Sequence, residues 1–132
     1  MAGEAAALRG RRVLLVEDDY LLAQFLTDVL EEADIKVVGP IGWVDEALAL
    51  IENSGGRLDG AILDVNLHGC NSSPVAEALA ARAIPFLFAT GYGQDALDGQ
   101  YRTHLRCEKP FDQDALIVLL GELLSKSAPP AG

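Results

Sequence analysis

Short apolar runs alternate along the chain with stretches whose apolar positions recur every three or four residues. That alternation is expected of βαβ units around a parallel sheet. Val13 to Val16 is continuously apolar over a strand's length, as a strand buried on both faces requires. From Tyr20 to Ala33, the residues Leu22, Phe25, Leu26, Val29, Leu30 and Ala33 fall on one side of a helix. Ile35 to Val38 reads as a second strand. Val44, Ala47, Leu48 and Ile51 form a second helical stripe, stopped by Asn53-Ser54-Gly55-Gly56. A third strand is expected from Leu58 to Asp64. Ser73 then offers an N-cap, with Pro74 at the first helical position and Val75, Ala78 and Leu79 facing the core. Ile84 to Ala89 reads as a fourth strand, with Pro85 tolerated near its start. His104 to Glu108 reads as a fifth, polar enough to belong at a sheet edge. Asp112 can cap a last helix that packs through Leu116, Leu119, Leu120, Leu123 and Leu124.

The connection from Gly91 to Thr103 carries three glycines and little periodicity, so its helix is expected to be short or labile. Residues 1–10 and 127–132 read as flexible tails, and Pro129-Pro130 cannot extend a helix. One domain over residues 11–126 is expected, with no output domain.

Composition narrows the function classes. The 132 residues are 50% apolar and 23% charged, which suits one globular domain. Ten Lys and Arg against twenty Asp and Glu give a net charge of −10, which disfavours direct binding to nucleic acid or anionic lipid. No apolar run approaches the roughly 18 residues of a membrane span. Val13 to Val16 is also too short for the core of an export signal. Cys70 and Cys107 belong to no CxxC pair, so two reduced thiols in a cytoplasmic protein are expected.

The candidate chemistry gathers where strands end. Glu17 and Asp18 close the first strand and Asp64 the third, Thr90 follows the fourth, and Lys109 follows the fifth. Open α/β sheets bind ligands beyond the carboxyl ends of their strands. If the first and third strands are neighbours, three carboxylates converge, which raises at least one pKa unless a cation neutralises them. Hard oxygen donors suit Mg²⁺ or Mn²⁺, which accept phosphate oxygens as further ligands. A carboxylate can act as nucleophile and become an aspartyl-phosphate, while a lysine ammonium and a threonine hydroxyl hold the phosphoryl oxygens.

Four segments, Val13-Leu14-Leu15-Val16-Glu17-Asp18-Asp19, Ile62-Leu63-Asp64, Ala89-Thr90-Gly91 and Lys109-Pro110-Phe111, resemble the receiver domain of two-component response regulators over residues 11–126. The resemblance implies a flavodoxin-like (βα)5 fold with a five-stranded parallel sheet in the order 2-1-3-4-5. It implies Glu17 and Asp18 as the acid pair, Asp18 being the more direct metal ligand, and Asp64 as phosphoacceptor. The backbone carbonyl of Asn66 would complete the metal shell, Thr90 would be the switch hydroxyl, and Lys109 would bond the phosphoryl group. A cis peptide at Lys109-Pro110 is a further implication. Pro85-Phe86-Leu87-Phe88-Ala89-Thr90-Gly91-Tyr92-Gly93 is similar to the signature of the "FAT GUY" single-domain response regulators. These are largely alphaproteobacterial, and several are linked to stress signalling and to histidine kinases of the HWE or HisKA2 type.

Two departures from the family pattern stand out. Arg106 occupies the place of the usual switch aromatic, so Tyr92 becomes a candidate for part of that role. The loop Asp64-Val65-Asn66-Leu67-His68-Gly69-Cys70 lacks the common proline and is expected to be looser, with Gly69 keeping its conformational freedom. His68 reads as a solvated loop residue, and Asn66 and Tyr92 flank the expected phosphoryl position. Trp43 and Tyr20 read as packing residues. A dehalogenase-type phosphatase is disfavoured, because neither Asp64 nor Asp18 has a second Asp two positions on.

The expected function is therefore that of a phosphoacceptor, with self-catalysed transfer and hydrolysis, and not an enzyme acting on a separate substrate. Asp64 takes the phosphoryl group from a histidine kinase or a histidine phosphotransfer protein. The signal then passes to a downstream protein, or the domain acts as a phosphate sink. The alternative is a phosphorylation-independent, receiver-like interaction module.

Overall fold

The computed structural model describes residues 8–54, 57–64, 66–67, 69–90, 106–108 and 113–126. Five parallel strands, β1 (Arg12–Val16), β2 (Lys36–Ile41), β3 (Gly60–Asp64), β4 (Phe86–Thr90) and β5 (Arg106–Glu108), form one sheet in the order β2-β1-β3-β4-β5. The expected flavodoxin-like order is thus observed. The helices among the described residues are α1 (Tyr20–Glu32), α2 (Val44–Ser54), α3 (Ser73–Ala81) and α4 (Gln113–Lys126). A separate antiparallel hairpin pairs Asn66–Leu67 with Cys70–Asn71.

Strand periodicity divides the core in two. Val13, Leu15, Ile62, Leu87 and Ala89 pack with Leu26, Val29 and Leu30 of α1 and with Leu116, Leu120 and Leu124 of α4. On the other face, Leu14, Val16, Ala61, Leu63, Phe86 and Phe88 pack with Ala47 and Ile51 of α2 and with Val75, Ala76 and Leu79 of α3. The rings of Phe86 and Phe88 meet edge to face at 5.6 Å. With helices on both faces, β1 and β3 have no solvent side, which explains the apolar runs Val13 to Val16 and Gly60 to Leu63. The short, polar β5 does lie at the sheet edge.

Several local expectations need correction. The N-terminal tail does not extend to residue 10: Leu8 is fully buried among α1 and α4 residues, and the Gly10 N–H donates to the Asp34 carbonyl at 2.7 Å. Phe25 is 37% exposed, and Ala23 takes its place on the buried face of α1. Tyr20, expected to pack, is 79% exposed. Trp43 precedes α2 and is half-exposed at the rim. Pro85 lies outside β4, whose first residue is Phe86; its carbonyl accepts a bond from the Ala61 N–H.

The N-cap of α3 is Ser72 and not Ser73, and the Ser72 side chain makes no capping bond. Instead the Asn71 Oδ1 accepts from the Ser73 N–H at 2.8 Å. β2 runs three residues further than expected, through a cis Gly39-Pro40 peptide. Gly39 has φ +106°, and a Cβ there would meet the Leu15 carbonyl at 2.8 Å and the Ile41 nitrogen at 2.9 Å, so only glycine fits. Residues 1–7 and 127–132, the 91–103 connection, Asp112 and the Lys109-Pro110 peptide lie outside the described residues.

Candidate metal centre

The pairing of β1 with β3 assembles the site. Val16 is in register with Leu63, so the next residues along the two strands, Glu17 and Asp64, leave the sheet side by side. Ligand oxygens of Glu17, Asp18 and Asp64 all lie within 4.8 Å of one another. Glu17 and Asp64 are only 3% and 8% exposed, and Asp18 is half-buried.

The three consecutive acids after β1 have different tasks. The Glu17 N–H donates to the Ile41 carbonyl of β2 at 2.9 Å, and its Oε2 accepts from the Asp19 N–H at 3.1 Å. Asp18 joins the cluster. Asp19 turns away to cap α1, its Oδ1 accepting from the Leu22 N–H at 3.1 Å. A strand end, two members of the acid cluster and a helix start are thus compressed into three residues.

Two unit charges about 4.8 Å apart repel by about 3 kcal/mol at an effective dielectric near 20, so two buried carboxylates and a half-buried one favour a cation among them. Their hard oxygen atoms fit Mg²⁺ or Mn²⁺. Asn66, the expected carbonyl donor, begins the hairpin two residues after Asp64. Ala89 is in register with Asp64, which places Thr90 one residue further along the neighbouring strand. Glu108 is in register with Thr90, and Arg106 stands opposite Phe88. Lys109, Tyr92 and His68 lie outside the described residues.

Sequence reasoning missed the hairpin after Asp64, the cap at Asp19 and the turn bond from the Ser73 N–H to Asn71. Signals for each are present in retrospect. Gly69 sits midway between Asn66 and Asn71 and has φ +82°, suited to a tight turn. Asp19 stands directly before an amphipathic stripe, and Asn71 stands two residues before Ser73-Pro74.

Comparison with known proteins adds the family. No family model and no curated protein sequence matches the chain. Among solved structures, the chain is similar to SdrG from Sphingomonas melonis Fr1, with 48% identity, a TM-score of 0.77, and coverage of 89% of this chain and 98% of that one. A second SdrG structure, from Pseudomonas melonis Fr1 in a BeF3-activated conformation, matches at 48% identity and a TM-score of 0.72, covering 86% and 95% of the two chains. PhyR from Brucella abortus matches at 26% identity and a TM-score of 0.78; 94% of this chain covers 51% of PhyR. A response regulator receiver protein from Sinorhizobium medicae WSM419 shares the fold at 20% identity and a TM-score of 0.76, over 91% and 98% of the two chains. An acid cluster at the β1 and β3 ends, and identity of 48% along nearly all of SdrG, lead to one conclusion: the chain belongs to the response regulator receiver family.

Proposed function

We propose that the domain accepts a phosphoryl group on Asp64 from a phosphohistidine of a histidine kinase or a phosphotransfer protein. The observation that carries this reading is the convergence of Glu17, Asp18 and Asp64 oxygens within 4.8 Å at the carboxyl end of the sheet. The BeF3-activated form of SdrG supports it, since fluoroberyllate is a tetrahedral analogue of a phosphoryl group.

Glu17, Asp18, Asp64 and the Asn66 carbonyl hold Mg²⁺ or Mn²⁺, which supplies positive charge for the phosphoryl oxygens. An Asp64 carboxylate oxygen attacks the phosphorus in line. The P–O bond forms as the P–N bond to imidazole breaks, and the imidazole leaves with its electron pair and is reprotonated from solvent. Thr90 and Lys109 bond the transferred oxygens. Hydrolysis by water breaks the new P–O bond and restores the carboxylate, so the domain catalyses its own transfer and dephosphorylation and turns over no separate substrate.

Tyr92 takes part of the switch role that Arg106 cannot fill. The Pro85 to Gly93 segment supports membership of the "FAT GUY" subgroup, with a kinase of the HWE or HisKA2 type as donor. The setting is cytoplasmic; among the described residues, no helix is long and apolar enough to cross a membrane. The phosphorylated form signals by binding a downstream protein or drains phosphate from its donor.

Intact-mass spectrometry after incubation with Mg²⁺ and acetyl phosphate tests this. A single phosphoryl adduct is expected on the wild type and none on Asp64→Ala. An adduct that persists in Asp64→Ala refutes Asp64 as acceptor. No wild-type adduct from acetyl phosphate, phosphoramidate or a phosphorylated histidine kinase favours the phosphorylation-independent module, toward which Arg106 points.

A further inference from the structure

The loop after Asp64 lacks the proline that stiffens it in many receivers, yet it folds back on itself. Asn66 pairs with Asn71 and Leu67 with Cys70, around Gly69 at φ +82°. A ladder of two residue pairs is marginal by itself, so its order has to come from elsewhere. Two anchors supply it. Leu67, the one aliphatic side chain between Asn66 and Ser72, is 1% exposed and belongs to the core that contains Ala47, Ile51, Val75 and Leu79. At the other end, Asn71 accepts the Ser73 N–H, and Ser72 is fully buried at the start of α3.

We infer that Leu67 is a positioning residue for the metal: its burial sets the direction of the Asn66 carbonyl. The inference rests on the reading of Asn66 as a metal donor. The carbonyl carbon of Asn66 is bonded to the nitrogen of Leu67 in one planar peptide, so the plane that aims this oxygen ends at the Cα from which Leu67 is anchored. The carboxylates have a different support. Glu17, Asp18 and Asp64 follow from the β1–β3 register and do not depend on the hairpin. Truncating Leu67 therefore loosens one donor and leaves the other three in place, as removal of an outer support of a metal ligand does elsewhere.

The test is the Mg²⁺ dissociation constant by isothermal titration calorimetry for the wild type, Leu67→Ala and Leu67→Met, each checked for folding by circular dichroism and denaturant titration. Leu67→Ala is expected to bind Mg²⁺ about tenfold more weakly. Leu67→Met fills the same space and is expected to stay within about twofold of the wild type. A Leu67→Ala protein that is folded, less stable, and binds Mg²⁺ with wild-type affinity overturns the inference and leaves Leu67 a packing residue only. If Leu67→Ala does not fold, Leu67→Val decides: weakened binding supports the inference and unchanged binding overturns it. Asp18→Asn distinguishes failure of the underlying reading. If it binds Mg²⁺ as the wild type does, the acid cluster is not the metal site, whatever Leu67 does.

Discussion

Where the strands begin, basic and acidic side chains meet. Arg9 pairs with Asp34 at 3.4 Å and Arg11 with Asp59 at 3.6 Å, while the Asp59 Oδ2 also accepts the Arg12 N–H at 2.8 Å. Where β1, β2 and β3 end, the described charged residues are acidic: Glu17, Asp18 and Asp19, then Asp45 and Glu46, then Asp64. Tyr20 and Leu21, at 79% and 78% exposure, open α1 at this same end. One edge pairs opposite charges, in solvent at Arg9–Asp34 and partly buried at Arg11–Asp59. The other carries one sign of charge, with Glu17 and Asp64 buried and Asp18 half-buried, an arrangement that favours a cation among them. The same residue types thus form ion pairs at one edge and a candidate metal centre at the other.

Metal addition separates the edges most sharply. Mg²⁺ at about ten times its dissociation constant should stabilise the wild type by about 1.4 kcal/mol, seen as a chelator-reversible rise in Tm. Asp18→Asn should lose that rise, while Asp34→Asn should keep it. An equal rise in both variants would mean that Mg²⁺ acts by screening alone.

Within the acidic edge, Asp19→Ala tests the division of labour among the three acids. Loss of the cap on α1 should cost about 1 kcal/mol in a denaturant titration, with the Mg²⁺ dissociation constant unchanged. Weaker Mg²⁺ binding without loss of stability would place Asp19 in the metal site instead.

The smallest effect belongs to the matched edge. Arg9 and Asp34 are 72% and 64% exposed, so Arg9→Ala should change stability by no more than about 0.5 kcal/mol, less at high salt. A larger loss would show that the pair holds the Leu8 segment against the core.

Much of the fold was legible because burial on both faces writes itself into the chain. Val13 to Val16 and Gly60 to Leu63 have no polar position to spare, and β5 is polar because it lies at the edge. The acid pair and Asp64 were legible as strand-end residues, and the family resemblance then assigned their roles. Residues whose role depends on distant partners were not legible. Leu8 looks like tail until α1 and α4 close over it, and Phe25 satisfies the helical period yet falls outside the contact. The extension of β2 past Gly39-Pro40 depends on where the Leu15 carbonyl lies. The loop after Asp64 read as loosened because proline was missing, since local chain stiffness was the one term visible.

The amino-acid sequence by itself determined the alternation of strands and helices, the charge balance, and the chemical set of Glu17, Asp18, Asp64, Thr90 and Lys109. Those are properties of composition and spacing, carried by each segment alone. Only the tertiary structure decided that Val16 faces Leu63, so that carboxylates separated by almost fifty positions meet within 4.8 Å. It alone decided that Leu67 drops into the core rather than into solvent. Register and burial are contacts between segments, and no segment holds the coordinates of its partner.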